Sequence, residues 1–243
     1  MPVQGEAEWL YPATFPSASI LPAFMGTIST LPCCYCSFIM VRPMISVKRV
    51  MILGGSGAGK THLTMKLSEQ FRLPRHHVDQ LSWQPGFIHR TAEELDVLTR
   101  RIHADRYWVL EGGHYETGHD RAQRAQLLIW VDPRTIVQTW RVVQRSWRYH
   151  GKVRPGMGEG CQEWFGKRTV EAVTYARASR DFHRERALDI IANAPPSLNV
   201  LHLRTARHVR SFLRMTRALP DGPGFAFSPQ PSADPRVALG ACA

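Results

Sequence analysis

One short glycine-rich run constrains the fold of this chain more than any other feature. Gly54-Gly55-Ser56-Gly57-Ala58-Gly59-Lys60-Thr61 matches the pattern G-x-x-x-x-G-K-[ST] at every fixed position. An apolar segment, Lys48–Leu53, precedes the run, and a helix-forming segment, Lys60–Gln70, follows it. A strand, a glycine loop and a helix in this order indicate a phosphate-binding loop rather than a turn that binds nothing.

The residue types of this loop suit a nucleoside triphosphate. Glycines let successive N–H groups point inward at phosphate oxygens, and the helix N-terminus adds the positive end of its dipole. Lys60 would reach the β- and γ-phosphates, and the Thr61 hydroxyl would ligate Mg²⁺. We therefore expect ATP and Mg²⁺ as cofactors. The chain has no Asn-Lys-x-Asp guanine-binding motif, but the choice between ATP and GTP stays open, because backbone groups often contact the base.

The segments around the loop alternate between strand and helix patterns. Five apolar segments are predicted strands: Lys48–Leu53, His76–Val78, Tyr107–Leu110, Leu127–Val131 and Leu198–Leu203. Helical patterns separate them, and one of these starts at Thr91, which forms a capping box with Glu94. The alternation predicts an α/β, three-layer P-loop NTPase fold with a five-stranded parallel sheet and helices on both faces.

Composition sets the expected domain limits. Residues 44–219 are predicted to form the P-loop domain, with a mobile lid at about 150–165. Residues 1–43, uncharged from Trp9 to Met40, are interpreted as a disordered or spurious extension; a membrane anchor at Ile20–Val41 is the alternative. Residues 220–243, rich in Pro, Gly, Ala and Ser, are interpreted as a flexible tail.

The charge balance bears on partners. The chain has 31 Lys and Arg against 20 Asp and Glu, a net charge of +11. Such a chain favours partners that carry phosphate, either nucleotides or nucleic acid. The five cysteines form neither a disulfide framework nor a zinc-finger spacing, so we expect a cytoplasmic protein.

Carboxylates follow three of the predicted strands. Glu111 ends the strand at Trp108-Val109-Leu110, where an acid that organises Mg²⁺ through water is needed. Asp79 ends the second strand and is predicted to contact the substrate or the metal. Asp132 is followed by Pro133, which favours a helix N-cap over a role in the site.

The predicted helix Pro133–Tyr149 carries two stripes at 100° per residue. The apolar stripe, expected to face the core, consists of Ile136, Trp140, Val143 and Trp147. The basic stripe consists of Arg141, Arg145 and Arg148 and leads into the glycine-rich segment 151–160. Arginines beside a glycine-rich lid suit closure over a transferring phosphoryl group. The alternative is a solvated basic face or a nucleic-acid patch.

Several motifs occur together in a characteristic order: Gly54–Thr61, His77–Trp83, Trp108–Tyr115, Arg141–Arg145 and Arg154–Met157. In this order they resemble the adenylate-kinase-like family of P-loop kinases, in particular the branch known as DNA topology modulation protein FlaR. The resemblance covers about residues 44–219.

The resemblance implies phosphoryl transfer from Mg·ATP under a mobile lid. Glu111 stands where the family has Asp, so the resemblance gives it the Mg²⁺ role. Lys60, Arg141 and Arg145 would be catalytic, and Asp79, Trp83 and Arg148 would face the acceptor. The family's usual Asn before Tyr115 is His114 here, and the adenylate kinase pattern for AMP is not evident. The acceptor therefore stays open.

The sequence thus predicts a small-molecule kinase that uses ATP, with a nucleoside monophosphate as one candidate acceptor. Two alternatives remain. One is a nucleic-acid-associated regulator of DNA topology that uses nucleotide binding or hydrolysis as a switch. The other is an NTPase without an acceptor. The oligomeric state is not predicted, and a membrane partner is not expected.

Overall fold

Strands and helices alternate along the chain in the computed structural model, which describes residues 44–228. The strands are β1 (Ile45–Val47), β2 (Arg49–Leu53), β3 (Arg75–His77), β4 (Trp83–Gln84), β5 (Ile88–His89), β6 (Trp108–Glu111), β7 (Leu127–Val131), β8 (Asn199–Leu203), β9 (Arg217–Ala218) and β10 (Phe225–Phe227). The helices are α1 (Lys60–Phe71), α2 (Val78–Ser82), α3 (Ala92–Ala104), α4 (Gly118–Arg124), α5 (Thr135–Arg148), α6 (Lys167–Ala178), α7 (Arg180–Ala192) and α8 (Ala206–Met215). A 3-10 turn, Tyr115–Thr117, precedes α4.

Five of these strands form one parallel sheet in the order β3-β6-β2-β7-β8. Successive residues of β2 point to opposite faces: Val50 and Ile52 join the core under α1 and α8, and Met51 and Leu53 join the core under α3, α4 and α7. Strands covered on both faces are apolar along their whole length. The three-layer α/β fold predicted from the sequence is confirmed.

This topology brings the carboxyl ends of neighbouring strands to one edge of the sheet, where ligands bind in open α/β folds. The central strand β2 runs directly into the phosphate loop, and Glu111 of β6 pairs in register with both Ile52 of β2 and His77 of β3. The strand expected to end at Asp79 ends at His77 instead. Val78 is buried and begins α2, so Asp79 lies in the first turn of a short helix.

The prediction for the apolar stripe of α5 is wrong. Ile136, Trp140 and Trp147 are 74%, 64% and 70% exposed. A third face of the helix is buried, made of Gln138, Val142 and Ser146. That face packs on the phosphate loop, where close approach of the backbone selects small and polar side chains over tryptophan.

The predicted domain end at Leu219 also needs correction. Strand β10 pairs with β1, and Phe225 and Phe227 are buried in the core beside α1 and α8. The folded region therefore extends through Phe227, and the predicted tail begins no earlier than residue 228. Residues 1–43 and 229–243, with the predicted extension, anchor and remaining tail, lie outside the described residues. Within residues 44–228 no helix is long and apolar enough to cross a membrane.

Candidate active site

The phosphate loop turns tightly between β2 and α1. Gly57 has φ 74°, and a Cβ there would lie 2.3 Å from the Gln138 carbonyl oxygen of α5, so only glycine fits. Lys60 opens α1, and its Nζ donates to the Gly55 carbonyl oxygen at 2.9 Å. The lysine charge is therefore held inside the loop, where the helix N-terminus also points. Such an arrangement favours an anionic ligand.

Next to the loop, one carboxylate accepts two hydrogen bonds. The Thr61 hydroxyl donates to Glu111 Oε1 at 2.8 Å, and His77 Nδ1 donates to the same oxygen at 2.9 Å. Burial by itself would raise the pKa of Glu111. The hydrogen bond from His77, the charge of Lys60 and the Thr61 hydroxyl outweigh burial and hold that pKa below its ordinary value. Glu111 is thus a buried, ionised carboxylate.

The pair of Thr61 and Glu111 fits Mg²⁺. A hydroxyl and a carboxylate are the hard oxygen donors that this ion prefers, and Mg²⁺ commonly takes one or two such groups together with water and substrate phosphates. Within residues 44–228 no group of three or more His, Cys, Asp or Glu side chains is arranged to hold a metal. Thr61 and Glu111 would supply two oxygen contacts to such an ion, and water and phosphates would supply the others.

The three arginines of the predicted basic stripe of α5 all reach this edge of the sheet. Arg141 Nη1 donates to the Ala58 carbonyl oxygen of the phosphate loop at 2.7 Å. The buried Arg145 Nε has no hydrogen bond in the described part of the chain, and its nearest carboxylate oxygen, on Glu163, lies 3.6 Å away. Burial, then the charge of Arg154, lowers the pKa of Arg145. Arg145 is therefore a partly buried cation with spare donor capacity.

The predicted lid segment lies packed against the acceptor side of the site. Arg154 Nη2 donates to Asp79 Oδ2 at 3.2 Å, and Arg154 Nε donates to Glu163 Oε1 at 2.7 Å. A Cβ on Gly158 would lie 2.2 Å from the Trp83 carbonyl oxygen. The lid backbone thus rests directly on the β4–β5 hairpin, and Arg154 bridges the two sides.

These elements enclose a cavity of about 690 Å³. The predicted site residues on its wall are Gly54, Ser56, Gly57, Gly59, Lys60, Thr61, Asp79, Trp83, Glu111, Arg141, Arg145 and Arg148. Gly55 and Ala58 belong to the loop but are not on the wall. The cavity wall carries five Lys or Arg side chains against two carboxylates. The cavity is therefore suited to anionic ligands.

Sequence reasoning missed part of the wall. Arg154 and His77 enter the sequence analysis only as members of motifs, with no role in the site. Further lining residues come from the first two turns of α1, the C-cap of α5, α6 and α7: His62, Met65, Tyr149, Ala172, Tyr175 and His183. The pairing of β3 with β6 is the signal that would have linked His77 to Glu111. No local signal marks the residues of α6 and α7.

Asp132 has a different role from the N-cap that was predicted. The residue at the N-cap of α5 is Arg134, and its side chain caps nothing. Asp132 is buried and forms ion pairs with Arg180 and Arg184 of α7. Burial opposes ionisation, but His202, whose Nε2 lies 3.7 Å from Asp132 Oδ2, and the two arginines lower the pKa of Asp132. Asp132 therefore anchors α7 against the sheet.

Comparison with known proteins gives a distant likeness. No protein-family model matches the chain, and no curated protein matches it. Among the solved structures that match is the shikimate kinase from Acinetobacter baumannii in complex with shikimate. It is 12% identical, with a TM-score of 0.46, and the match covers 69% of this chain and 92% of that chain.

Proposed function

We propose that this chain is an ATP-dependent phosphotransferase that moves the γ-phosphoryl group of Mg·ATP to a small acceptor. The observation that carries the proposal is one cavity shared by the phosphate loop, the Thr61–Glu111 oxygen pair and four arginines. The motif order that resembles the adenylate-kinase-like family, and its FlaR branch in particular, supports the same assignment.

The side chains of the cavity provide what phosphoryl transfer requires, which is mostly positioning and charge neutralisation. Lys60 and the loop amides bind the phosphates. Arg141, Arg145 and the lid residue Arg154 neutralise charge on the transferring group and exclude water. Mg²⁺, held by Thr61 and Glu111, would add positive charge at the phosphate oxygens.

The acceptor side is bounded by Asp79 and Trp83. The Asp79 side chain is about half exposed, at 53%, and its second role is to hold Arg154 of the lid. An acceptor that hydrogen-bonds Asp79 would therefore meet the lid arginine as well. The volume falls within the usual range of ligand pockets, about 300–1,000 Å³. A small acceptor, with a nucleoside monophosphate as one candidate, fits this side of the cavity.

A phosphotransfer screen tests the proposal. The full chain is supplied with Mg·ATP and offered nucleoside monophosphates, nucleosides and small metabolites, and mass spectrometry identifies the products. Lys60→Ala should abolish transfer because it removes the charge at the β- and γ-phosphates. The matched control is Lys66→Ala, on the same helix α1 but exposed and paired with Glu69.

A phosphorylated product made by the unmodified chain and Lys66→Ala, but not by Lys60→Ala, establishes a kinase and identifies its acceptor. Full activity of Lys60→Ala contradicts the assignment. ATP hydrolysis that no added molecule changes identifies an NTPase without an acceptor.

A second candidate function is a nucleic-acid-associated regulator, and the observation that favours it lies on α8. Arg207, Arg210 and Arg214 are exposed and lie within about 60° of one another around this helix. Arg204 and Arg217, also exposed, extend the row at its two ends. No Asp or Glu occurs between residues 190 and 220. This row is a dense, uncompensated positive charge.

The chemistry of the row favours a phosphodiester backbone over a membrane. The apolar side chains of α8, Val209, Phe212 and Leu213, pack into the core. The helix therefore offers no apolar face to lipid, which membrane-surface helices need. Arginine side chains supply the phosphate contacts that dominate nucleic-acid affinity.

Fluorescence anisotropy with a 20-base-pair duplex tests this second candidate. The triple variant Arg207→Gln, Arg210→Gln, Arg214→Gln should bind more weakly and reduce the salt slope of log K by about 3. The control triple variant replaces Arg75, Arg101 and Arg106, exposed arginines outside the row, by Gln. Failure of the unmodified chain to bind at about 50 mM salt contradicts this candidate.

A further inference from the structure

The cavity wall includes His183, a histidine that belongs to none of the sequence motifs. His183 lies in the first turn of α7 and is half-buried. Its Nδ1 is hydrogen-bonded to the Tyr115 hydroxyl at 2.9 Å. The opposite edge of the imidazole faces the phosphate loop, because a Cβ on Gly55 would lie 3.9 Å from His183 Cδ2. The ring thus spans from Tyr115 to the loop.

The edge of the ring that faces the loop includes Nε2, which is bonded to Cδ2. Lys60 Nζ contacts the Gly55 carbonyl oxygen, and the lysine of such a loop serves the β- and γ-phosphates. Gly55 therefore marks the terminal-phosphate end of the loop. In the part of the chain that the structure describes, Nε2 has no hydrogen-bond partner of its own. It is available to a ligand at that end.

The surroundings keep both Tyr115 and His183 neutral. Burial raises the pKa of Tyr115 to about 12, so the phenol retains its proton. Burial, then the charge of Lys60, lowers the pKa of His183, while the charge of Asp79 acts in the opposite direction. The other rings against His183 belong to Tyr175 and Phe182. If the phenolic O–H donates to Nδ1, the single ring proton resides on Nε2.

We propose that His183 is a further catalytic residue, whose Nε2–H donates a hydrogen bond to an oxygen of the γ-phosphoryl group as it is transferred. Tyr115 is its positioning residue, which holds the ring orientation and the tautomer. No bond to His183 forms or breaks. This inference rests on the proposed phosphotransferase function and adds a donor from outside the loop and lid.

The placement of Tyr115 links His183 to β6, the strand that ends at Glu111. A Cβ on Gly113 would lie 2.9 Å from the Tyr115 ring, so the loop that follows Glu111 packs directly on the tyrosine. The hydroxyl then reaches His183 of α7. The strand that carries Glu111 and the helix that carries His183 are therefore held in one arrangement. Preorganised donors of this kind stabilise charge that develops in the transition state.

Steady-state kinetics on the full chain, with the acceptor found in the screen, test the role. His183→Ala should lower kcat about 100-fold, as for other lost transition-state donors, and leave the KM for ATP within about threefold. His183→Gln should recover part of the loss, because its side-chain N–H replaces Nε2–H. The matched control is His119→Gln on α4, an exposed histidine paired with Asp189.

Two kinetic results would overturn the proposal. The first is a kcat for His183→Ala within about twofold of the unmodified chain. The second is a loss confined to KM, which would assign His183 to ground-state binding. Tyr115→Phe should give a smaller kcat loss than His183→Ala, and an unchanged kcat in Tyr115→Phe overturns the positioning role.

A second readout does not depend on turnover. In the full chain labelled with ¹⁵N-histidine, the His183 Nε2 resonance should be that of a protonated nitrogen. It should shift when Mg²⁺ and a non-hydrolysable ATP analogue are added. Tyr115→Phe should populate both tautomers. No shift on nucleotide addition overturns the contact. A shift without transfer to any acceptor overturns the phosphotransferase and the catalytic role, while the contact stands.

Discussion

A buried arginine and a buried histidine hold the loop that follows Glu111. Arg121 of α4 is fully buried and donates to the carbonyl oxygens of Gly112 at 3.0 Å and His114 at 3.2 Å. Its Nε donates to His103 Nε2 at 3.3 Å, and His103 Nδ1 donates to Asp120 at 2.9 Å. The histidine must accept on one nitrogen and donate on the other, so it must be neutral.

The first prediction concerns the pH dependence of stability. Burial lowers the pKa of His103 to about 4, against 6.5 for the free side chain. Between these values the unfolded chain binds more protons than the folded one, so stability falls as the pH falls from 6.5 towards 4. The loss of unfolding free energy should reach up to about 3 kcal/mol. Thermal denaturation between pH 7.5 and 4.5 measures it.

His103→Gln should flatten this pH profile, because glutamine does not titrate. The control variant His119→Gln removes an exposed histidine of α4, the helix that carries Arg121. It should leave the profile unchanged. An equally steep profile in His103→Gln would show that other groups dominate the acid sensitivity.

Single residues of the site are also what the sequence predicted most directly. The positions of Lys60, Thr61 and Glu111 followed from a motif and a strand end, and the structure brings all three together. The partners of those residues did not follow. His77 on Glu111 and Arg154 on Asp79 lie 34 and 75 positions away from the groups they contact.

At the scale of elements, α5 carries three different faces. Its arginine face borders the cavity, its small and polar face packs on the phosphate loop, and its tryptophan face is exposed. Hydrophobic periodicity identifies the face of the helix whose burial would be most favourable. Here, contacts made by the other two faces determine how the helix is rotated about its axis. Gln138 Nε2 donates to the Pro133 carbonyl oxygen at 2.8 Å, and Arg141 is fixed on Ala58.

The second prediction follows from this rotation. The double variant Trp140→Gln, Trp147→Gln should change the free energy of unfolding by less than about 1 kcal/mol, because surface changes remove little buried area. Val142→Ala, on the buried face, should cost about 2 kcal/mol. Urea denaturation distinguishes the two cases. A large loss in the tryptophan variant would mean that the exposed face is covered in solution.

At the scale of the whole molecule, the two ends of the described chain meet. β1 and β10 pair antiparallel, and β9 completes a small sheet. The Phe225 ring packs at a tilt against Phe71 of α1, with the ring centroids 4.8 Å apart, and meets Phe212 of α8 edge-on at 6.0 Å. This aromatic cluster covers the face of the main sheet next to α1 and α8.

The third prediction tests that closure. Phe225→Ala should lower the free energy of unfolding by about 4 kcal/mol, since it empties a fully buried site. Phe165→Ala, at a residue that is 49% exposed in the lid segment, should cost less than about 1 kcal/mol. Thermal and urea denaturation of both variants provide the measurement. Equal, small losses would return the domain end to Leu219.

By itself the sequence determined the glycine-rich loop between a strand and a helix, the alternation of strands and helices along the chain, and the Thr91–Glu94 cap of α3, which the structure confirms. These features depend on groups within one or two turns of each other, so a short stretch of sequence contains their cause. Only the tertiary structure decided the rotation of α5, the contact of Arg154 with Asp79, the place of His183 at the loop and the pairing of β10 with β1. Each of these joins distant segments, and the free energy that selects it arises from packing and desolvation across the fold, which no local pattern encodes.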